Sequence, residues 1–321
     1  MIQQLPINDF FKIQKIILFL SISLFINKMV AQQEPHYTQY MYNMNVLNPA
    51  YVTTTSSMLN LGALYRTQWV GVAGAPKTLT LFSPIPINHK IETGFSLISD
   101  DIGNGIKKEN NFSTDFAYIL DLNTTHRLSF GVKARITSLS INFDYFLLGN
   151  SSRDVAFQNT NIIRPNVGVG AYYFTDNYYV GLSVPNLFNF KSYSNQQSSI
   201  NYNPTIQKHF FLTGGFVFVL SDTFKFKPAS MIKFIEGAPI SFDFSANVLY
   251  QDTFELGAAY RLNDAVSGLM NIKITPNVKV GYAYDYGVSS LRTFNSGSHE
   301  FFVLFNLDLL GKGYNKSPRF F

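Results

Sequence analysis

The sequence predicts an all-β protein: a transmembrane antiparallel β-barrel of about fourteen strands, preceded by a cleaved signal peptide. Three observations carry this. Short segments alternate apolar and polar residues one by one along almost the whole chain, which is the period of a strand. The chain is rich in Tyr (19) and Phe (31) but only 14% charged, where a soluble domain carries about 25%. The connections sort by length, long after odd-numbered segments and mostly tight after even-numbered ones. A sheet with lipid outside and polar side chains inside has all three properties.

The N-terminus reads as a secretory signal over residues 1–31. Lys12 and Lys15 precede the apolar run from Ile16 to Ile26, and Ala31 offers a small residue before Gln32, Gln33, Glu34 and Pro35. The run is too short for a spanning helix, and no apolar run of about 18 residues occurs elsewhere. Loss of residues 1–31 removes Lys12, Lys15, Lys28 and Asp9 and lowers the formal net charge from +5 to +3. That balance is no nucleic-acid footprint. The absence of cysteine excludes disulfides and thiolate metal sites.

Residues 32–56 form a Tyr- and Asn-rich lead-in without strand alternation, expected on the periplasmic side as a plug of the barrel mouth or as a leader that docks another component. Residues 57–321 are assigned to the barrel. Its first strand is expected at 57–69, followed by 77–83, 92–100, 111–121, 126–139, 165–175 and 177–185. The second half is expected at 208–221, 223–234, 239–250, 253–262, 265–275, 277–287 and 298–309. In the fifth, Leu128, Phe130, Val132, Ala134 and Ile136 oppose Ser129, Gly131, Lys133, Arg135 and Thr137. In the tenth, Phe242, Phe244, Ala246 and Val248 oppose Ser241, Asp243, Ser245 and Asn247. Residues 140–164 and 186–207 are expected outside the cell, and the turns near Asp176 and Asp222 in the periplasm. Two places fit this sorting poorly: 84–91 is long for a periplasmic turn, and Asn263-Asp264 is short for an external one.

Inward parity collects Arg66, Lys133, Arg135, Asp243, Glu255, Arg261, Lys273, Lys279 and Asp285. These charges either line a water-filled conduit or pair with one another and close the lumen, and their mixed signs favour pairing. Enzymatic chemistry has no visible basis. The five histidines are scattered, no nucleophile motif or phosphate loop is present, and Ser298-His299-Glu300 on one strand point to alternate faces. No cofactor or metal is expected.

Several blocks in order along the chain resemble the PorP/SprF family, outer-membrane components tied to type IX secretion. They are Gln32 to Asn43, Asn48-Pro49-Ala50-Tyr51, Tyr65-Arg66-Thr67-Gln68-Trp69 with Gly71 and Gly74-Ala75-Pro76-Lys77-Thr78, and Asp101-Ile102-Gly103. Tyr260-Arg261, Gly281 to Asp285 and Ser298-His299-Glu300 complete the series. Tyr65, Arg66, Gln68, Trp69, Gly74, Pro76 and Lys77 are the candidate partner-contacting motif. The resemblance implies a location in the cell outer membrane and a non-enzymatic role in secreting, or holding at the surface, large adhesin-type cargo. The implied partners are type IX secretion components, an adhesin or cargo sorting domain, and outer-membrane lipid. The alternative is a porin or transporter for small solutes.

Overall fold

The computed structural model describes residues 35–53, 58–142, 159–188, 207–235 and 238–308. The signal segment and most of 140–164 and 186–207 lie outside these residues. Fourteen antiparallel strands close into one barrel. The first seven are β1 (Met58–Thr67), β2 (Lys77–Pro86), β3 (Ile91–Ile102), β4 (Lys107–Asp121), β5 (Arg127–Ile141), β6 (Thr160–Phe174) and β7 (Tyr178–Val184). The next is β8 (His209–Phe216, continued by Phe218–Val219), followed by β9 (Phe224–Ile235) and β10 (Ser241–Tyr250). The last are β11 (Phe254–Arg261), β12 (Ala265–Thr275), β13 (Val278–Gly287) and β14 (Ser298–Asp308). Each strand pairs with its sequence neighbours, and β14 closes on β1 from Met58 opposite Asp308 to Thr67 opposite His299. No helix among the described residues is long and apolar enough to cross a membrane.

The outer surface is apolar because the outward parity is apolar. Phe116, Val132, Phe244, Leu256 and Met270 are all more than half exposed, which only a hydrocarbon surrounding makes favourable. Aromatic rings gather at the short-turn rim, where Tyr178 stacks on Phe216 at 5.9 Å and Phe224 packs on Tyr250 at 4.9 Å.

Prolines set the differences from the expected strand ends. β2 runs on to Pro86 through Pro84, because β1 stops pairing at Gly62–Phe82 and only β3 accompanies the last residues. A proline is tolerated where one side of the ladder is open. The extension shortens the next connection to 87–90 and removes one of the two misfits in loop length. The connection between β11 and β12 remains short, with Asn263 in the left-handed region at φ 59°. In β8 the ladder to β9 lapses opposite Pro228, whose nitrogen has no hydrogen to donate. The Val217 N–H turns instead to the Asn177 carbonyl at 2.7 Å.

Candidate functional site

A barrel of this strand number leaves an interior that must be filled or wet. Here residues 35–53 enter it, and Gln39, Tyr40, Asn43, Met44, Asn48, Ala50 and Val52 are essentially without exposure. The segment contains a short 3₁₀ turn (Tyr40–Tyr42) and one helical turn, α1 (Met44–Leu47). At its C-terminal end the Thr53 N–H donates to Glu92 at 2.8 Å, near the short-turn end of β3. The middle is held by Ser183, which donates to the Leu47 carbonyl at 2.8 Å, and by Lys133, which donates to the Asn45 carbonyl at 3.2 Å. Asn48 donates to the Ala171 carbonyl at 3.2 Å. At its N-terminal end, Thr38 meets Arg66 beside the long-loop end of β1. The segment therefore runs the length of the lumen, where the sequence left open a plug of the barrel mouth or a docking leader.

Inward-facing glycines make room for it. Gly131, Gly170 and Gly181 lie under Asn48 and Pro49, and a Cβ on any of them would meet that segment within 3.0 Å. Amide and phenol side chains suit such a site because their bodies pack while their polar ends bond.

The inward charges form discrete clusters. Arg66 binds Asp285 at 2.6 Å and Glu300 at 3.1 Å, with all three side chains buried. Glu300 also accepts the successive backbone N–H groups of Thr38 and Gln39 at 2.9 and 2.8 Å, while the Thr38 hydroxyl donates to Asp285 at 2.7 Å. Arg261 bonds Asp243 at 2.6 Å and Asp264 at 3.2 Å. Glu255 lies between Lys227 and Lys279, each at 3.1 Å, and accepts the Tyr42 hydroxyl. Lys279 sits 4.2 Å from the centre of the Tyr42 ring, which stacks on Phe302. Lys133 pairs with Asp115 at 2.7 Å, and Arg135 reaches Ser113 and Asn186. Lys273 is half-buried near the β12–β13 turn.

Several members of these clusters escaped the sequence reading. Asp115 was detectable, because it faces Lys133 across the β4–β5 hairpin. Glu300 faces Arg66 across the β1–β14 seam, a register that only the closed barrel sets. Lys227, Glu92 and Lys233 were also missed. Lys233 donates to His36 of the lead-in.

The family motif divides at the rim. Tyr65 faces outward, Arg66 and Gln68 are buried, Trp69 is exposed just past the end of β1, and Lys77 opens β2 in an exposed position. Trp69 is left-handed at φ 44°, with its N–H donated to Ser298 Oγ at 3.2 Å. The Gln68 N–H donates to the Pro76 carbonyl at 3.0 Å, and Gly74 at φ 75° packs against Gly103. Thr38, Arg66, Arg261, Asp285 and Glu300 come from five separate sequence blocks and converge on one buried region at the long-loop end.

The profile of the type IX secretion system membrane protein PorP/SprF matches residues 29–305. The chain belongs to the PorP/SprF family. It is accordingly an outer-membrane β-barrel of type IX secretion. No curated protein sequence matches it. Among solved structures, the Ralstonia pickettii toluene transporter TbuX aligns with a TM-score of 0.50 at 11% identity, over 85% of this chain and 94% of that one. A Pseudomonas aeruginosa FadL homologue aligns with a TM-score of 0.46 at 12% identity, over 86% and 95%. The Acinetobacter baumannii outer membrane protein Omp33 gives 0.46 at 10%, over 79% and 100%. At such identities the TbuX likeness concerns the barrel fold alone.

Proposed function

We propose that this PorP/SprF protein is a closed, non-enzymatic barrel that serves the secretion or surface attachment of large adhesin-type cargo, beside other type IX components. The observation that carries this reading is the lumen. Residues 35–53 fill it, bonded to strands from β1 round to β14, and Arg66, Lys133, Lys227, Arg261 and Lys279 are held in ion pairs rather than lining a path. A small-solute porin or transporter, the alternative, needs a continuous aqueous route through the same space. The candidate motif Tyr65, Arg66, Gln68, Trp69, Gly74, Pro76 and Lys77 is the proposed partner-facing element, because it joins the lumen cluster to the outer rim.

The test has two readouts. The purified barrel in planar bilayers is expected to be electrically quiet. Affinity purification from the native cell envelope is expected to bring down a large exported adhesin together with secretion subunits. Steady, large conductance without any co-purified cargo would replace this reading with the porin.

A further inference from the structure

Above the ion-pair cluster, the long-loop end holds a polar cavity of about 40 Å³, the room of roughly three waters or one carboxylate. Arg66, Gln68, Trp69, Asp285, Arg292 and Ser298 line it. Asp285 is already bound to Arg66, and Asp264, also on the lining, to Arg261. Arg292, by contrast, makes no ion pair among the described residues, and its guanidinium lies 5.1 Å over the Tyr286 ring. The buried Arg66 Nε–H likewise has no partner among the described residues. The uncommitted charge and donors at this cavity are therefore positive and unsatisfied, with Trp69 at its border.

We propose that the cavity is a docking site for an acidic side chain or terminal carboxylate presented by a partner polypeptide. Arg292 supplies the charge, Arg66 Nε a fixed donor and Gln68 an amide, with Trp69 at the edge of the site. A guanidinium suits the task because its planar N–H groups match carboxylate geometry. This rests on the reading of the barrel as a partner for exported polypeptide, and it names the point of grip.

Trp69 is the chain's only tryptophan, so its fluorescence reports occupancy directly. The purified full-length barrel in detergent is titrated with acetylated tetraglutamate at low salt, and with acetylated tetraglutamine as control. Tetraglutamate is expected to change the emission saturably and tetraglutamine to leave it unchanged. Arg292→Gln is expected to weaken tetraglutamate about ten-fold, with Arg292→Lys intermediate. A response absent, equal for both peptides, or unchanged in Arg292→Gln overturns the site. Adhesin retention by wild-type and barrel-deleted cells tests the proposed function separately. Retention that depends on the barrel, without peptide binding, removes the cavity and leaves the role.

Discussion

Pro49 lies directly over Gly131, so closely that a Cβ on the glycine would fall 2.3 Å from the proline carbonyl carbon. The obstacle is backbone and cannot swing aside. Gly131→Ala should therefore displace the lead-in or strain β5, costing about 1–3 kcal/mol. Gly268 supplies the control, since a Cβ there meets nothing within 4 Å. Gly268→Ala should stay within about 0.5 kcal/mol of the parent. The midpoint of the heat-induced shift in gel mobility measures both, and equal midpoints would separate the lead-in from the glycine wall.

Lys133 and Val132 are neighbours on opposite faces of β5. Val132→Arg sets a cation in hydrocarbon, at about 2–4 kcal/mol near the midplane. Inward charge alone suggests that Lys133→Gln would be mild. The buried pair with Asp115 changes that expectation: the substitution leaves a carboxylate unpaired, at about 3–5 kcal/mol. Adding Asp115→Leu to Lys133→Met should recover most of the loss, whereas no inward change rescues Val132→Arg. Urea unfolding in lipid vesicles reads all four variants.

How much was legible follows from the physics at each place. The outward faces of β5, β10 and β11 were legible because lipid imposes strict alternation, and Phe244 and Leu256 obey it. The sides of Arg66, Asp243, Glu255 and Asp285 were legible for the same reason. Their partners were less so. Glu300 meets Arg66 across 234 residues, through a register fixed only on closure. The ends of β2 and β6 were hidden by Pro84 and Pro165, which argue against a strand in a central ladder but not beside an open edge. The lead-in carries no periodicity at all. Its composition suggested burial, but its depth depends on Gly131, Gly170 and Gly181 in β5, β6 and β7, far along the chain.

Loop length implies orientation. The long-loop end should face outside the cell and the short-turn end the periplasm. The chain has no cysteine, so single probes are clean. Thr293→Cys, in the β13–β14 connection, should react with an impermeant thiol reagent on whole cells. Thr124→Cys, in the β4–β5 turn, should react only after lysis. The reverse pattern would invert the barrel.

His36 is half-buried against Lys233, and the loss of solvent around it holds its imidazole well below the usual histidine range, with the Lys233 ammonium adding to the effect. A depressed histidine favours the folded state fully above the unfolded value of about 6.5 and loses that contribution as pH falls towards the folded one. Acidification from pH 7.5 to 5.0 should therefore loosen the outer end of the lead-in. Hydrogen exchange of residues 36–43, corrected for intrinsic rates, should rise in the parent. His36→Gln should flatten that rise, since glutamine keeps an acceptor for Lys233 without a titrating group. An equal rise in the variant would assign the effect to the lumen carboxylates instead.

The lead-in is also the only described segment that occupies the lumen along its length, so its removal gives the sharpest test of closure. Deleting residues 34–48, with the signal and its cleavage site kept, removes Thr38 from Glu300, Tyr42 from Glu255 and the Asn45 carbonyl from Lys133. The wall pairs Arg66–Asp285, Arg261–Asp243 and Lys227–Glu255 remain, because both partners of each sit on strands. The barrel should accordingly still fold and stay heat-modifiable, with water in place of the segment. In planar bilayers the deleted protein should then show a stepwise ion conductance that the parent lacks. A folded but silent deletion variant would mean that the wall side chains or the external loops close the barrel by themselves.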